Sequence, residues 1–213
     1  MLQKLLLDLG VKCVDDPAAC TYLAAPKLVR TEKFCCALAR APVIVSTKWV
    51  ETCINEGRLV ETAPYLLVDT EGEKRLGIKL STSLARAKEN KGNLLEGQAV
   101  YCTPGVHGGY EVCRRIVEAN GGVCVLFKTA KRPANVPDSE KMVLLSSDGA
   151  ADKKIWPKFQ ALAHNSGREC KIYKSDWVLE LAMAQQVDWS GRRVAVVTAA
   201  VTPCRVAYIN TGR

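Results

Sequence analysis

The stretches VIVSTKWVETCINEG (residues 43–57) and KIYKSDWVLELAMAQ (residues 171–185) share one layout. In each, a short run suited to a β-strand ends at a Ser that can cap a helix, and a Trp-Val pair enters the first turn of that helix. The same order of strand, cap and Trp at two places in the chain indicates an internal repeat. Two copies of a small unit therefore explain the chain more simply than one large sheet.

The sequence around these stretches repeats as well. LGVKCV (9–14) matches GGVCVL (121–126) as a turn from a helix into a strand. Helical and strand-like runs alternate, which predicts an α/β fold with parallel sheets. We predict helices at 2–9, 31–40, 46–57, 81–91, 110–120, 152–167 and from 175, and strands at 11–14, 21–25, 42–46, 98–103, 123–127, 142–147 and 171–174.

The turn signals divide the chain into four parts. We predict a first unit at residues 1–62, an irregular linker with one helix at 63–97, a second unit at 98–190, and a tail of unclear structure at 191–213.

Composition narrows the class of protein. Hydrophobic residues make up 48% and charged residues 24% of the 213 residues, as in globular proteins. No apolar run approaches the roughly 18–20 residues of a membrane-spanning helix, and the N-terminal MLQKLLLDLG resembles a helix rather than a signal peptide. The formal net charge of +8 favours anionic partners such as nucleic acid or phosphorylated protein.

The ten cysteines do not indicate a metal site. They form no CxxC pair, there are only two histidines, and most cysteines lie in apolar segments, where a free thiol packs as a small hydrophobe. We therefore expect no zinc site and a reducing compartment, the cytosol or nucleus.

The stretch VRTEKFCCALAR (29–40) places two cations, Arg30 and Lys33, at the start of a short helix. A cation is unfavourable there by about 0.3–1 kcal/mol, because the helix N-terminus carries partial positive charge. An anionic ligand would reverse this penalty. The alternative is that both cations are solvated and balanced by Glu32.

Taken together, these features resemble the tandem BRCT repeat: the Trp-Val helix after a short strand, RTEKFCCALA before PVIVS, the Gly pair at 121–122, and YCTPGV at 101–106. The resemblance covers about residues 2–190. It is strongest to the phosphopeptide-binding pairs of fungal DNA-damage scaffold proteins and of mediators of the DNA damage checkpoint.

The resemblance implies a fold and a function. Each repeat would be a small four-stranded parallel sheet with two helices on one face and one on the other. The pair would be a non-enzymatic module in the nucleus, without cofactor or membrane contact. It would bind a phosphoserine near a protein C-terminus, as in the core-histone tail phosphorylated at DNA breaks, and other DNA repair proteins are further candidate partners.

Residue roles also follow from the resemblance. Lys33 would bind the phosphate and Arg30 the peptide main chain or C-terminal carboxylate. The peptide groove would be lined by Cys35, Val106, His107 and Gly108. The repeats would pack through Phe34 and Leu38 of the first against Val112, Ile116, Trp177 and Leu181 of the second.

The chain departs from the family pattern at one place. It begins inside the first helix, so we expect the first repeat to lack its first strand, which in the family carries a Ser or Thr and a Gly of the phosphate pocket. Thr103 matches that position only in the second repeat.

An alternative function is therefore a scaffold or DNA-binding module without phosphate recognition. The basic pieces at 74–79, 113–115 and 128–132 are the candidates for DNA contact. An α/β enzyme is disfavoured because TPGVHGG (103–109) matches no nucleotide-binding motif.

Overall fold

The computed structural model describes residues 2–128 and 136–190. Its strands are β1 Tyr22–Ala24, β2 Val43–Val45, β3 Ala99–Cys102, β4 Val123–Leu126, β5 Lys141–Ser146 and β6 Glu169–Lys174. Its α-helices are α1 Leu2–Asp8, α2 Glu32–Leu38, α3 Thr47–Glu56, α4 Thr70–Leu76, α5 Leu80–Asn90, α6 Tyr110–Ala119, α7 Ala150–Lys153, α8 Trp156–Asn165 and α9 Asp176–Ala184. This is the expected α/β fold.

The second repeat contains a parallel four-stranded sheet in the order β4-β3-β5-β6. Successive side chains of a strand point to opposite faces, and here both faces are buried. Val100 and Cys102 pack on one face with α6 and α9, whereas Ala99 and Tyr101 pack on the other with α8. The sheet thus has two helices on one face and one on the other, as the resemblance implies.

The first repeat has two parallel strands in the described part of the chain, with Tyr22 opposite Val43. The predicted helix after β2 forms as α3, and its Trp49 ring stacks on Tyr22 with centroids 5.4 Å apart. The predicted strand at 11–14 is wrong: these residues form no strand. A strand needs a hydrogen-bonded neighbour, and no described strand lies beside this segment.

Two helix predictions need correction. The predicted helix at 152–167 is interrupted, so α7 ends at Lys153 and α8 begins at Trp156 with Pro157 in its first turn, where proline is tolerated. In the linker, α5 forms as predicted, but the segment interpreted as irregular contains α4. The Asp69 side chain caps α4 by accepting a hydrogen bond from the Gly72 amide at 2.8 Å.

One of the apolar clusters among the described residues extends from the first repeat into the second. It includes α2, α6, α9 and the face of the second sheet that they cover. The linker is tied to the same end of the second repeat, because Asn90 and Arg86 of α5 donate hydrogen bonds to the carbonyl oxygens of Gln185 (3.0 Å) and Ala184 (3.2 Å). The position of α2 relative to α9 is therefore set by packing on several sides.

The cysteines mostly behave as core residues. Cys35, Cys36, Cys53, Cys102 and Cys124 are buried, whereas Cys13 is exposed because its segment forms no strand.

Over residues 2–128 and 136–190, no group of His, Cys, Asp and Glu is arranged to hold a metal ion. No helix in these same ranges has the length and apolarity to span a bilayer. The predicted tail at 191–213 lies outside the described residues.

A candidate ligand cleft between the two repeats

The segment leading into α2 is held by the linker helix α4. The Leu28 amide donates to the Asp69 carboxylate at 2.8 Å, and the Leu28 carbonyl accepts from Arg75 at 2.8 Å. Three residues later Thr31 caps α2, its hydroxyl accepting from the Phe34 amide at 3.4 Å. Arg30 therefore lies between two anchored points of the backbone.

Arg30 reaches across to the second repeat. Its guanidinium lies 3.4 Å from the Asp176 carboxylate and 3.3 Å from that of Glu180, both on α9. The Arg30 side chain remains 33% exposed, so each pair contributes about 0.2–1 kcal/mol. These contacts orient the guanidinium more than they stabilise the fold.

The two other charged residues at the start of α2 differ from each other. Glu32 pairs with Arg115 of α6 at 3.1 Å, a second ionic contact between the repeats. Lys33 is exposed and has no ion-pair partner within the described ranges. Among the described residues, Glu32 is therefore paired with the second repeat, whereas Lys33 is a positive charge without an ion-pair partner.

Arg30 of the first repeat borders a cleft of about 510 Å³ whose other lining residues all belong to the second repeat. The cleft opens where β5 and β6 end and α9 begins, and ligands of parallel sheets commonly bind at the carboxyl ends of the strands. Its lining consists of Arg30, His107, Ser146, Ser147, Asp148, Lys174, Ser175, Asp176 and Leu179.

The cleft contains charges of both signs. Lys174 lies 2.7 Å from Asp148, and this hydrogen bond holds the pKa of the Asp148 carboxyl below its usual range. The His107 amide donates to the Ser175 hydroxyl at 3.1 Å, which fixes the loop after β3 to the start of α9. Serine hydroxyls and charged groups in one cleft suit a polar, extended ligand such as a peptide.

Of the residues predicted for the peptide groove, His107 lines the cleft and Gly108 is exposed beside it in the chain. Cys35 and Val106 do not line a surface, because they are 0% and 4% exposed. The Cys35 sulfur lies 4.0 Å from the carbonyl oxygen of Leu179, and burial raises the pKa of this thiol to about 12. Cys35 is therefore a protonated, buried side chain that contacts Leu179, a residue of the cleft lining.

The residues predicted to join the repeats lie in one core. Phe34 and Leu38 of α2 are 2% and 0% exposed. They share an apolar cluster with the buried residues Ile116, Trp177 and Leu181, against whose edge the half-buried Val112 packs. Helix α2 contacts both α6 and α9.

Several residues of the cleft were not predicted from sequence, chiefly Ser147, Asp148 and Lys174. They follow or end strands β5 and β6. Parallel strands bring their carboxyl ends to one edge of the sheet, and this rule could have identified these residues from sequence. The linker residues Asp69 and Arg75 were also missed, because their role depends on a contact with the distant Leu28.

Comparisons with known proteins give a consistent result. The family described as the BRCT domain of Regulator of Ty1 transposition protein 107 matches residues 2–67. Over 190 residues, 88% of this chain, the sequence is 32% identical to BRCT-containing protein 1 of Schizosaccharomyces pombe. Over 120 residues, 56% of this chain, it is 33% identical to human Mediator of DNA damage checkpoint protein 1. The chain spans only 22% and 6% of the lengths of these two relatives.

Solved structures extend the similarity to the fold. The crystal structure of the S. pombe Brc1 BRCT5-BRCT6 domains is similar with a TM-score of 0.73 and 30% identity, over 91% of each chain. The complex of Rtt107p with a phosphorylated histone has a TM-score of 0.61 and 18% identity, over 89% of this chain and 82% of that one, and supports the fold alone. With a 30% identical pair of BRCT domains matched over nearly its whole length, this chain belongs to the tandem BRCT family.

Proposed function

We propose that this chain is a phosphopeptide-binding module of the DNA damage response that recognises a phosphoserine near a protein C-terminus. The observation that carries the proposal is the pair of cations at the start of α2. Lys33 is exposed and unpaired among the described residues, and Arg30, three residues earlier, borders the cleft between the repeats.

Each cation suits a different part of such a ligand. The Lys33 ammonium is a compact charge on a flexible stem, which suits a phosphate. The Arg30 guanidinium donates one N–H to Glu180 and one to Asp176, and its other N–H groups can donate to a ligand carboxylate. Charge-assisted hydrogen bonds of this kind contribute about 1.5–3 kcal/mol each.

Relatives support this choice of ligand. Rtt107p, which shares the fold, has been solved in complex with a phosphorylated histone. Another relative is named as a mediator of the DNA damage checkpoint. By analogy, the proposed partner is a phosphorylated protein tail of the core-histone type, the proposed compartment is the nucleus, and other DNA repair proteins are further candidate partners.

Peptide titration tests the proposal. A fluorescent peptide ending a few residues after a phosphoserine, with a free C-terminal carboxylate, should bind the full chain, and its unphosphorylated form should bind at least about tenfold more weakly. Lys33→Ala should remove this preference for phosphate. Lys48→Ala is the matched control, since Lys48 is also exposed but lies on α3.

Two outcomes would contradict the proposal. If Lys33→Ala binds the two peptides with the preference of the unaltered chain, Lys33 does not read the phosphate. If the unaltered chain binds neither peptide, the scaffold alternative without phosphate recognition replaces the proposal.

The net charge of +8 favours direct DNA binding. The ion pairs of the structure argue against it. In the basic pieces at 74–79 and 113–115, Lys79 pairs with Glu73, and Arg114 pairs with two glutamates. Charges already paired in the protein release fewer counterions from DNA. A steep loss of duplex affinity with rising salt, together with no preference for phosphopeptide, would favour the DNA-binding alternative.

A further inference from the structure

The loops that follow strands β3 and β5 of the second sheet enclose a carboxylate. Asp152, in α7, is only 4% exposed. Its Oδ2 atom accepts hydrogen bonds from the Thr103 hydroxyl (2.7 Å), the Ser147 hydroxyl (2.6 Å) and the Ser147 amide (3.1 Å). Its Oδ1 atom accepts one from the Gly105 amide at 3.2 Å. Four donors thus converge on one anion.

The donors around Asp152 are neutral. No lysine or arginine in the described part of the chain forms an ion pair with this carboxylate. Removing a buried anion from water is costly unless its oxygens receive hydrogen bonds, and here hydroxyls and backbone amides supply them. Nests of backbone amides and hydroxyls of this type also hold phosphate oxygens in proteins.

The backbone at Gly105 is adapted to this anion. A Cβ atom at position 105 would lie 2.6 Å from the Asp152 Oδ2 atom, so a larger residue would displace the carboxylate. Thr103, which directly follows β3, is 0% exposed and directs its hydroxyl to the same oxygen. The end of β3 and the loop after β5 therefore form a cradle that we define as Thr103, Gly105 and Ser147.

The internal repeat allows the helix that carries Asp152 to be compared with a helix of the first repeat. Strands β1 and β2 of the first repeat pair in parallel as β5 and β6 do in the second. The first helix after β1 is α2, which carries Lys33, and the first helix after β5 is α7, which carries Asp152. The first helix after the leading strand of the pair thus carries the exposed Lys33 in the first repeat and the buried Asp152 in the second.

We propose that the cradle of Thr103, Gly105 and Ser147 is an oxyanion site that the second repeat fills with its own Asp152 carboxylate. The consequence is that the second repeat does not accept a phosphate from a ligand, although its donors would hold one. This inference does not depend on the role proposed for Lys33.

Removal of the carboxylate should open the site to inorganic phosphate. Asp152→Ala is compared with Asp15→Ala, which removes an exposed acid and changes the net charge equally. Both are made in the full chain carrying Lys33→Ala, so that a phosphate site in the first repeat does not contribute. Thermal unfolding is measured in increasing sodium phosphate and in sodium chloride of equal ionic strength.

We expect Asp152→Ala to unfold at a lower temperature than Asp15→Ala in chloride, and to gain roughly 5 °C in a saturable manner as phosphate is added. Asp15→Ala should show only the small, unsaturated rise that phosphate produces by exclusion from protein surfaces. Adding Thr103→Val to Asp152→Ala, which removes one hydroxyl donor, should reduce the saturable rise.

The proposal is overturned if phosphate stabilises Asp152→Ala and Asp15→Ala equally, or if Thr103→Val leaves the response to phosphate unchanged. If Asp152→Ala is unfolded in chloride, phosphate must restore the folded state, as followed by circular dichroism. Failure to restore it also overturns the proposal, because Asp152 would then have a structural role that an oxyanion cannot replace.

Discussion

At the scale of single residues, Arg30 and Lys33 are three positions apart but lie in different environments. Arg30 is held by two carboxylates of the second repeat, whereas Lys33 has no partner among the described residues. Sequence alone identified both cations as unfavourable at a helix start. It did not reveal that Asp176 and Glu180, in the distant second repeat, would offset the charge of only one of them.

Arg30→Ala should weaken binding of a peptide with a free C-terminal carboxylate and have little effect on an amidated peptide. The reason is that the guanidinium is proposed to bind the carboxylate. The free energy of unfolding should fall by less than about 2 kcal/mol, because both ion pairs are partly exposed. Titration of both peptides against both chains checks this, and an equal effect of amidation with and without Arg30 would contradict it.

Asp152 should make stability depend on pH. Burial raises the pKa of this carboxyl, but the hydrogen bonds from Ser147, Thr103 and Gly105 together hold it below its ordinary value. A lowered pKa in the folded state adds stability above the unfolded-state pKa of about 3.9, and this stability is lost as the pH falls through the folded-state pKa.

Urea unfolding of the unaltered chain and of Asp152→Asn measures this effect. The free energy of unfolding of the unaltered chain should exceed that of Asp152→Asn by a constant amount between about pH 7 and pH 5. This difference should shrink below about pH 4. If this difference in the free energy of unfolding stays the same down to about pH 3, the four hydrogen bonds do not stabilise the charged form of the carboxyl.

At the scale of elements, α2 combines the exposed Lys33 with the apolar side chains that join the two repeats. Its apolar stripe and its cations are readable in VRTEKFCCALAR, and the structure places the stripe against α6 and α9. The strand predicted at 11–14 failed for a different reason. A strand pattern describes a segment, whereas a strand exists only when a neighbour satisfies its backbone hydrogen bonds.

Leu38→Ala should lower the free energy of unfolding by about 2–5 kcal/mol, because Leu38 is fully buried and its removal leaves a cavity. It should also weaken phosphopeptide binding, because α2 carries Lys33, begins two residues after Arg30 and is positioned by this contact. Leu144→Ala is the control: Leu144 is equally buried but packs on the opposite face of the second sheet, so stability alone should fall.

Chemical unfolding and peptide titration of both variants separate these effects. If both variants bind peptide with unchanged affinity, the packing of α2 does not set the geometry of the site.

At the scale of the whole molecule, the two repeats share one apolar core. Phe34 and Leu38 from the first repeat and Ile116 and Leu181 from the second belong to the same cluster, and the linker helix α5 is hydrogen-bonded to the end of α9. Separating the repeats would expose these side chains, each at a cost of about 1.5–3 kcal/mol.

The chain should therefore unfold in one cooperative transition. Scanning calorimetry should give a single peak whose calorimetric enthalpy equals the van't Hoff enthalpy. Two resolved peaks would mean that the contact through α2 is weaker than the core of either repeat.

The sequence by itself determined the class of fold, the existence of two repeats and the main elements, because strand and helix periods and caps are local patterns and the Trp-Val unit occurs twice. It also identified Lys33 and Arg30 as unusual for their positions. Only the tertiary structure decided that Cys35 and Val106 are buried rather than lining the cleft, that α4 holds Leu28, and that Asp152 accepts hydrogen bonds from Thr103. Each of these depends on contacts between residues far apart in the chain, which packing and buried hydrogen bonds select and which no local pattern encodes.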